Sequence, residues 1–571
     1  MIWQEKSYDL SVASLLEEKS AVSPIIAKLL SIRNVSTLLD TSNFLNPKLA
    51  HLSDPFEIPQ MVRAIERIKQ ALVNEEPILL IGDYDADGIS SVSILQKVLL
   101  ELGANSAYVI PRRIDEGYGL TMKVLSRGLK ENDASLVIAL DCGTNSKKEA
   151  VFLEKSKIDL IVVDHHKAKD EVSTIPIILN PHLMQESKSP WYNLCTAGLT
   201  FKLAHGLIKN LKIQSSPLAD KINLRDFLPL CAIGTVADLV PLQHENRIIA
   251  KFGLKHLAHN PSEGIKALLN EGKIDRNTCP KSEDITFKLA PMINACGRMD
   301  DPTVAISLFL ENDSNKCRTL AQQMNQYNEQ RKFIEAKLTG EAEKQAKSRF
   351  ADEPAVIATG SGDWWNPGVV GIVAGKLANS LSKPCLVLAK SDNGEYRGSG
   401  RGTKGLDLVM ALTACKDLLL HWGGHPVAVG LSIKEDNLKN FTERFITEVS
   451  KQIGETPSEP VLEIDSFINL NELEEKLLHE IEKLAPFGQG NPEPIFGIEK
   501  VRLHGRPRKV GKGHFQFSIY NGVEAVSGIA WRMGDDIPPD DKDIDIAIRL
   551  QWNLWNQRKK LQMVMESWKY H

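Results

Sequence analysis

No apolar run in this 571-residue chain approaches the roughly 20 residues that a helix needs to cross a bilayer, so no membrane role is expected. Cysteine is sparse. Eight are present, none in a Cys-x-x-Cys pair, and Glu5 and Lys6 are followed by no long apolar core of a secretory leader. A cytoplasmic protein with reduced thiols is expected. Strong charge of one sign is also missing: 69 Lys and Arg against 73 Asp and Glu leave a net −4. Any contact with nucleic acid must therefore use local basic patches. What the chain does have is a 42% hydrophobic content, enough for real cores, and the length of roughly three or four domains.

Chemistry is concentrated in residues 77–91, PILLIGDYDADGISS. Ile78 to Ile81 read as a buried parallel strand, and the glycine, aspartates and small residues after it as the loop at its carboxyl end. Val92, Leu95, Val98 and Leu99 then recur at helical spacing, so Asp83, Asp85 and Asp87 stand where open α/β sheets bind their ligands. Three carboxylates at alternate positions repel one another, and a bound cation is the usual way to hold them together. The string also opens like an EF-hand loop. Its twelfth position, however, is Ile94 rather than a bidentate glutamate, and a strand precedes it, so calcium storage is rejected.

The same pattern returns twice. SLVIAL at 135–140 runs into Asp141, and IDLIVV at 158–163 runs into Asp164, His165 and His166. Asp238 follows Leu230, Ile233 and Val236, a spacing closer to a helix or its end than to a strand. Parallel strands joined by helices bring their carboxyl ends to one edge, so these loops can converge. Carboxylate with imidazole suits manganese, iron or zinc, with magnesium relying more on the oxygens. Two adjacent histidines at a strand end do not easily serve one ion. His165 is read as a ligand, His166 as free to meet a substrate phosphate, and Asp164 as either ligand support or structure.

With Asp164-His165-His166 in place, the sequence resembles the DHH phosphoesterase superfamily, and matches along almost its whole length resemble the RecJ family of single-strand-specific 5′ to 3′ DNA exonucleases. The resemblance implies two divalent ions, manganese or magnesium, surrounded by Asp83, Asp85, Asp87, Asp141, His165 and Asp238, with Asp141 bridging them. In YVIPRRIDEGYGLT, residues 108–121, a strand ending at Ile110 brings Arg112 and Arg113 to the same edge. Arg113 matches the arginine of the family's Pro-Asn-Arg stretch and is expected on a phosphate. Arg112 stays open between surface charge and contact, and Tyr118 is available for a base or for packing. LAPMINACGRM, residues 289–299, resembles the family's Arg-Ile-Asn-Ala-Ala-Gly-Arg segment, with Met292 and Cys296 as departures. Asn294 and Arg298 are expected on the substrate side, and Cys296 as a small buried hydrophobe.

Residues 313–349 read as one long helix, with Ser314 as its cap and a stripe of Leu320, Met324, Tyr327, Ile334 and Leu338, bridging two lobes. In the second lobe, YRGSGRG (396–402) and WGGHPVAVG (422–430) resemble the signatures of the DHH-associated domain. Ser399 and Arg401, read as lying on a glycine-flanked turn, offer a cup for a terminal phosphate, and His425 would reach back to the metals. Asn366 stands where the family usually shows a histidine, and Val429 where it shows an alanine. Beyond residue 459, APFGQGNPEPIF matches a further RecJ-family stretch, and the chain then alternates as paired strands do. Lys500, Arg502, Arg506, Arg508, Lys509 and Lys512 form its densest basic cluster. With Phe515, Phe517, Trp531, Trp552 and Trp555 they suggest an OB-type barrel that binds single strands, most of the aromatics being core.

The expected fold is α/β. It comprises a lead-in at 1–55 packed on the first large domain, a parallel-sheet DHH catalytic domain at 56–312, a connecting helix at 313–349, a smaller α/β DHH-associated domain at 350–458 and an OB-type barrel at 459–571. The implied reaction is two-metal phosphodiester hydrolysis, releasing 5′-mononucleotides in DNA repair and recombination, with ions roughly 3.5–4 Å apart. His166 and His425 would steady the phosphate, and Arg113, Arg298, Ser399 and Arg401 would hold the 5′ end. Single-stranded DNA is the expected partner, with a single-strand-binding protein and a helicase implied by the resemblance. The rivals are a DHH phosphoesterase of short oligoribonucleotides or cyclic dinucleotides, and a non-catalytic single-strand-binding scaffold.

Overall fold

A computed structural model describes residues 2–113, 115–169, 175–184, 188–391, 393–403, 405–453, 461–555 and 558–571. The first lobe is built on five parallel strands in the order Ser106–Val109, Ile78–Gly82, Leu136–Leu140, Asp159–Val163 and Ile177–Leu179. Every residue of the two central strands is buried, as continuous apolar runs covered by helices on both faces require. From Ile78–Gly82 the chain moves outward to one edge and returns to the other side at Leu136–Leu140. The strand order thus switches direction between these two neighbours, the place where open α/β sheets bind ligands. Asp83 and Asp141 follow these two strands directly.

One helix, Ser314–Arg349, joins the lobes. Cys317, Ala321 and Met324 belong to the core of the first lobe, and Ile334, Leu338, Ala342 and Ala346 to that of the second. Its cap differs from the expectation: Asp313, not Ser314, accepts from the N–H groups of Asn315 and Lys316, because a carboxylate one residue earlier reaches both orphan donors. Gly340 does not interrupt it.

The second lobe is a mixed sheet in the order Leu419–His425, Ala428–Lys434, Glu395–Arg401, Cys385–Lys390 and Val356–Gly360. The YRGSGRG segment is a strand here rather than a turn. Its glycines at 398 and 400 lie against Leu388 and Leu386 of the neighbouring strand, where a Cβ would clash. Ser399 and Arg401 therefore stand on a rigid sheet, facing away from that packing.

The C-terminal unit wraps seven strands around one core, in the order Ser466–Phe467, Phe496–Val501, Ile544–Trp555, Arg558–Tyr570, Ala525–Ala530, His514–Tyr520 and Arg508–Val510. Phe515 and Phe517 are core, whereas Trp531 is 54% exposed. The side chain of Trp555 and the boundary expected between 458 and 459 lie outside the described residues. The lead-in is corrected. Ile2–Glu5 pairs in parallel with Val461–Ile464, and Leu16, Ile26, Leu29 and Leu30 join the C-terminal core, so residues 2–45 pack on the last unit rather than the first. From Leu49 onward the segment packs against the core of the first lobe.

Two buried arginines tie these parts together. Arg247 donates to the carbonyl oxygens of Phe44 (2.8 Å) and Ala485 (2.9 Å) and stacks on the Phe44 ring at 3.8 Å. Arg33 donates to Asn491 and to the Pro492 carbonyl, both at 2.7 Å. All eight cysteines are free, Cys296 among the buried ones. Among the described residues no helix is long and apolar enough to cross a membrane.

Candidate active site

The acidic loop is shaped by its helix. Asp85 caps Ala86–Glu101 by accepting from the N–H groups of Asp87 (3.0 Å) and Gly88 (3.1 Å). Gly88 lets that helix start under the strand end: a Cβ there would sit 2.5 Å from the Asp83 carbonyl oxygen. Asp83 and Asp87 are buried as a result. Asp87 accepts from the N–H groups of Thr196 and Ala197, both at 2.8 Å, at the amino end of the helix Thr196–Ile213, where such groups have no intrahelical partner.

Asp141 follows Leu136–Leu140 in a left-handed conformation, φ 63°, that a non-glycine residue rarely adopts. Its Oδ1 accepts from the Thr196 hydroxyl (2.9 Å) and lies 3.5 Å from His165 Nε2. The same nitrogen is 3.4 Å from Asp238 Oδ2 and 3.9 Å from Asp87 Oδ2. Asp238 caps the carboxyl end of the helix Leu228–Ala237, the helix end that its spacing indicates. Asp83, Asp85 and Asp141 form a second group whose candidate ligand atoms lie within 4.8 Å of one another, beside the group of Asp87, His165 and Asp238.

Burial and mutual repulsion push Asp83 and Asp141 well above the usual carboxylate range, Asp87 up to about 6 and Asp238 up to about 8. These four aspartates cannot all stay ionised here without a positive partner. Among the described residues, both oxygens of Asp83 and Nε2 of His165 are buried with no hydrogen-bond partner, as the ligand atoms of a cation would be. Burial, reinforced by the charge of His166, lowers His165 to about 4, so its imidazole is neutral and competent to ligate.

His166 is set up differently. Asp164 accepts from the backbone N–H groups of His165 (2.8 Å), His166 (3.1 Å) and Thr144 (3.1 Å), and from His166 Nδ1 (2.7 Å). Burial alone would lower the His166 imidazolium, but the hydrogen bond to Asp164 and the surrounding carboxylates outweigh it and raise it to about 9. Burial alone would likewise raise Asp164, yet the hydrogen bond from His166 and the charge of that ring hold it well below the usual range. Asp164 is therefore structural support, and the imidazolium Nε2 donates to the Tyr118 hydroxyl oxygen at 3.0 Å. Tyr118 thus sits at the centre itself.

A cavity of about 240 Å³ opens here, lined by Tyr118, Asp164, His166 and Lys167 of the first lobe and by His425 of the second. The predicted arginines also gather. Arg113 lies over the Tyr84 ring at 5.1 Å, close enough to Arg298 and Arg401 for its charge to act on both. Burial, followed by repulsion from Arg113, lowers Arg298 to about 10 and Arg401 below its usual value. Arg298 spends one N–H on the Gly368 carbonyl oxygen (2.8 Å), clasping the second lobe. One turn earlier, the buried Oδ1 of Asn294 has no partner among the described residues. Asn366 accepts from the Gly368 N–H at 2.7 Å, which gives this departure a structural role.

The basic cluster of the C-terminal unit stands apart and is partly neutralised. Arg502 meets Asp543 at 2.5 Å, Arg506 lies 3.7 Å from Asp540, and Arg508 donates to Gln516 at 3.0 Å. Lys509 and Lys512 are exposed beside them. Sequence reasoning missed Tyr84, whose ring meets Tyr118 at 6.0 Å, and Thr196. The aromatic inside DYDADG was a usable signal; Thr196 had none, since its partners lie over fifty residues away.

Comparison with known proteins bears on this arrangement directly. Family profiles match at residues 77–235 (DHH family, N-terminal domain), 353–451 (DHHA1 domain) and 464–567 (RecJ OB domain). The single-stranded-DNA-specific exonuclease RecJ of Bacillus subtilis (strain 168) is 34% identical over 573 residues, which cover 99% of this chain and 70% of that protein. The chain belongs to the RecJ family. RecJ of Escherichia coli (strain K12) is 31% identical over 88% of this chain and 89% of its own. The crystal structure of RecJ in complex with Mn2+ from Thermus thermophilus superposes with a TM-score of 0.84 at 25% identity, covering 100% of this chain and 80% of that one. The RecJ-family fold accounts for both lobes and for the C-terminal OB domain.

Proposed function

We propose that this RecJ-family chain is a metal-dependent exonuclease specific for single-stranded DNA, digesting from the 5′ end and releasing 5′-mononucleotides. Its relatives from B. subtilis and E. coli are named single-stranded-DNA-specific exonucleases, and the Thermus structure is a complex with Mn2+. The observation that carries the reading is the set of orphaned buried ligand atoms, both oxygens of Asp83 and Nε2 of His165, among four further aspartates. Asp83, Asp85 and Asp141 would hold one divalent ion, manganese or magnesium, and Asp87, His165 and Asp238 the other, with Asp141 between them. Bound there, such ions supply charge stabilisation on the phosphoryl oxygens and activation of the attacking water.

The chain's own groups do the rest. His166, kept protonated by Asp164, gives up its Nε2–H contact with the Tyr118 hydroxyl to donate to the scissile phosphate, and His425 approaches it from the other side of the cavity. Arg113, Arg298, Ser399 and Arg401 hold the 5′-terminal phosphate, which makes the enzyme count from that end. Tyr118 and Asn294 guide the first nucleotide. Arg502, Arg506, Arg508, Lys509 and Lys512 track the strand further out, with Trp531 exposed to stack on a base. In this division residues 56–312 catalyse, 313–349 connect, 350–458 bind the end and 459–571 bind the strand. The role is in cytoplasmic DNA repair and recombination, with a single-strand-binding protein and a helicase as partners.

The test is a manganese-supplemented time course on a single-stranded oligonucleotide labelled at its 3′ end. A descending ladder that vanishes with EDTA is expected. Immediate release of a labelled mononucleotide would reverse the polarity, and a blunt duplex degraded as fast as the single strand would remove the strand specificity.

A further inference from the structure

One face of the second lobe's sheet carries side chains that the proposed reaction leaves unused. The register of Glu395–Arg401, Ala428–Lys434 and Leu419–His425 lays out three rows across it. Arg401, Ala428 and His425 form the row on the side of the His166 cavity, Ser399, Gly430 and Gly423 the middle row, and Arg397, Ser432 and His421 the outer row. Alternate residues of a strand point to one side, so all three rows share a face. The middle row is cleared by glycine. A Cβ at Gly423 would meet nothing within 4 Å, and one at Gly430 only the Gly398 carbonyl oxygen at 3.9 Å, so neither glycine is there for packing.

The result is an open trough of about 470 Å³. Ser399 lies at its inner end, Arg397 and His421 at its outer end, and Pro367 and Val370, where the helix Val370–Leu381 begins, form one wall. None of the lining residues described carries a carboxylate. Glu395 lies 3.6 Å from the Arg397 guanidinium, which is itself 57% exposed.

We propose that this trough accepts the β- and γ-phosphates of strands bearing a 5′-di- or triphosphate, with the α-phosphate at Ser399 and Arg401 and the outer phosphates on Arg397 and His421. The proposal rests on the reading of Ser399 and Arg401 as the 5′-end site and extends it outward. From Ser399 to Arg397 the strand advances about 6.6 Å, the reach of two more phosphates in a chain. Arg397 offers a planar fork for phosphate oxygens, and His421 a second donor from the neighbouring strand. A monophosphate end leaves these groups to water; a triphosphate end uses them.

The test compares kcat/KM for the first cleavage of three 3′-labelled single-stranded oligonucleotides, ending in 5′-hydroxyl, 5′-monophosphate and 5′-triphosphate, with manganese in excess of phosphate. Wild-type protein is expected to use the triphosphate end at least as well as the monophosphate. The double variant Arg397→Ala, His421→Ala should lose about tenfold on the triphosphate end and nothing on the monophosphate. Both residues are exposed, so the monophosphate rate also reports intact folding. A triphosphate end refused by wild type, or an equal loss on both ends, would overturn the proposal. Equal use of the hydroxyl and monophosphate ends by wild type would instead bring down the 5′-end site itself, a comparison that involves no triphosphate.

Discussion

Asp141 carries the most at the residue scale. Its backbone is held in a left-handed conformation, at a cost of order 1–3 kcal/mol, and its carboxylate joins Asp83 and Asp85 in one candidate ligand group while lying 3.5 Å from His165 of the other. Replacing it with alanine should lower the hydrolysis rate at least a thousandfold while leaving single-strand binding in place; oligonucleotide anisotropy measured beside the ladder assay separates the two, and retained hydrolysis would end its bridging role. Arg401→Ala should erase the preference for a 5′-phosphorylated end over a 5′-hydroxyl, read as a ratio of kcat/KM, and an unchanged ratio would remove it from the end site. The aspartates and histidines at strand ends were legible because an apolar run followed by acids has few other meanings. The task of Asp164 was not, since only the folded loop shows that its oxygens are occupied by Thr144, His165 and His166.

At the scale of elements, glycine misled in one place. YRGSGRG looks like a turn, yet it forms a strand because its glycines let the adjacent strand's leucines close over the backbone. Local propensity gives way there to packing. The long helix and its bridging of two lobes were visible in its stripe, but which residues serve which core could be seen only in three dimensions. Leu338 is fully buried on the second-lobe side. Leu338→Ala should cost about 2–5 kcal/mol in urea unfolding, with a cavity left against the second sheet. A change below about 1 kcal/mol would mean that the helix is only a tether.

At the scale of the whole molecule, the ends of the chain meet. Residues 2–45 complete the C-terminal unit, and Arg247 pins both to the first lobe through the carbonyl groups of Phe44 and Ala485. Arg247→Met keeps the apolar bulk but orphans those carbonyls, and each buried group left unpaired costs about 1–3 kcal/mol. Faster limited proteolysis between the second lobe and the C-terminal unit and weaker binding of long strands should follow, with cleavage of short oligonucleotides unchanged. Equal losses on long and short strands would instead place Arg247 in the support of the metal site.

The sequence by itself determined the catalytic sheet, the acidic and histidine loops at its edge, the bridging helix and the family to which these belong, because hydrophobic periodicity and strand-end chemistry are local. Only the tertiary structure decided where the lead-in packs, how Thr196 and Asp164 hold the centre, and that Arg298 clasps the second lobe at Gly368. Those contacts join residues tens to hundreds of positions apart. Their energy comes from burial and from hydrogen bonds closed across that distance, which no stretch of sequence carries alone.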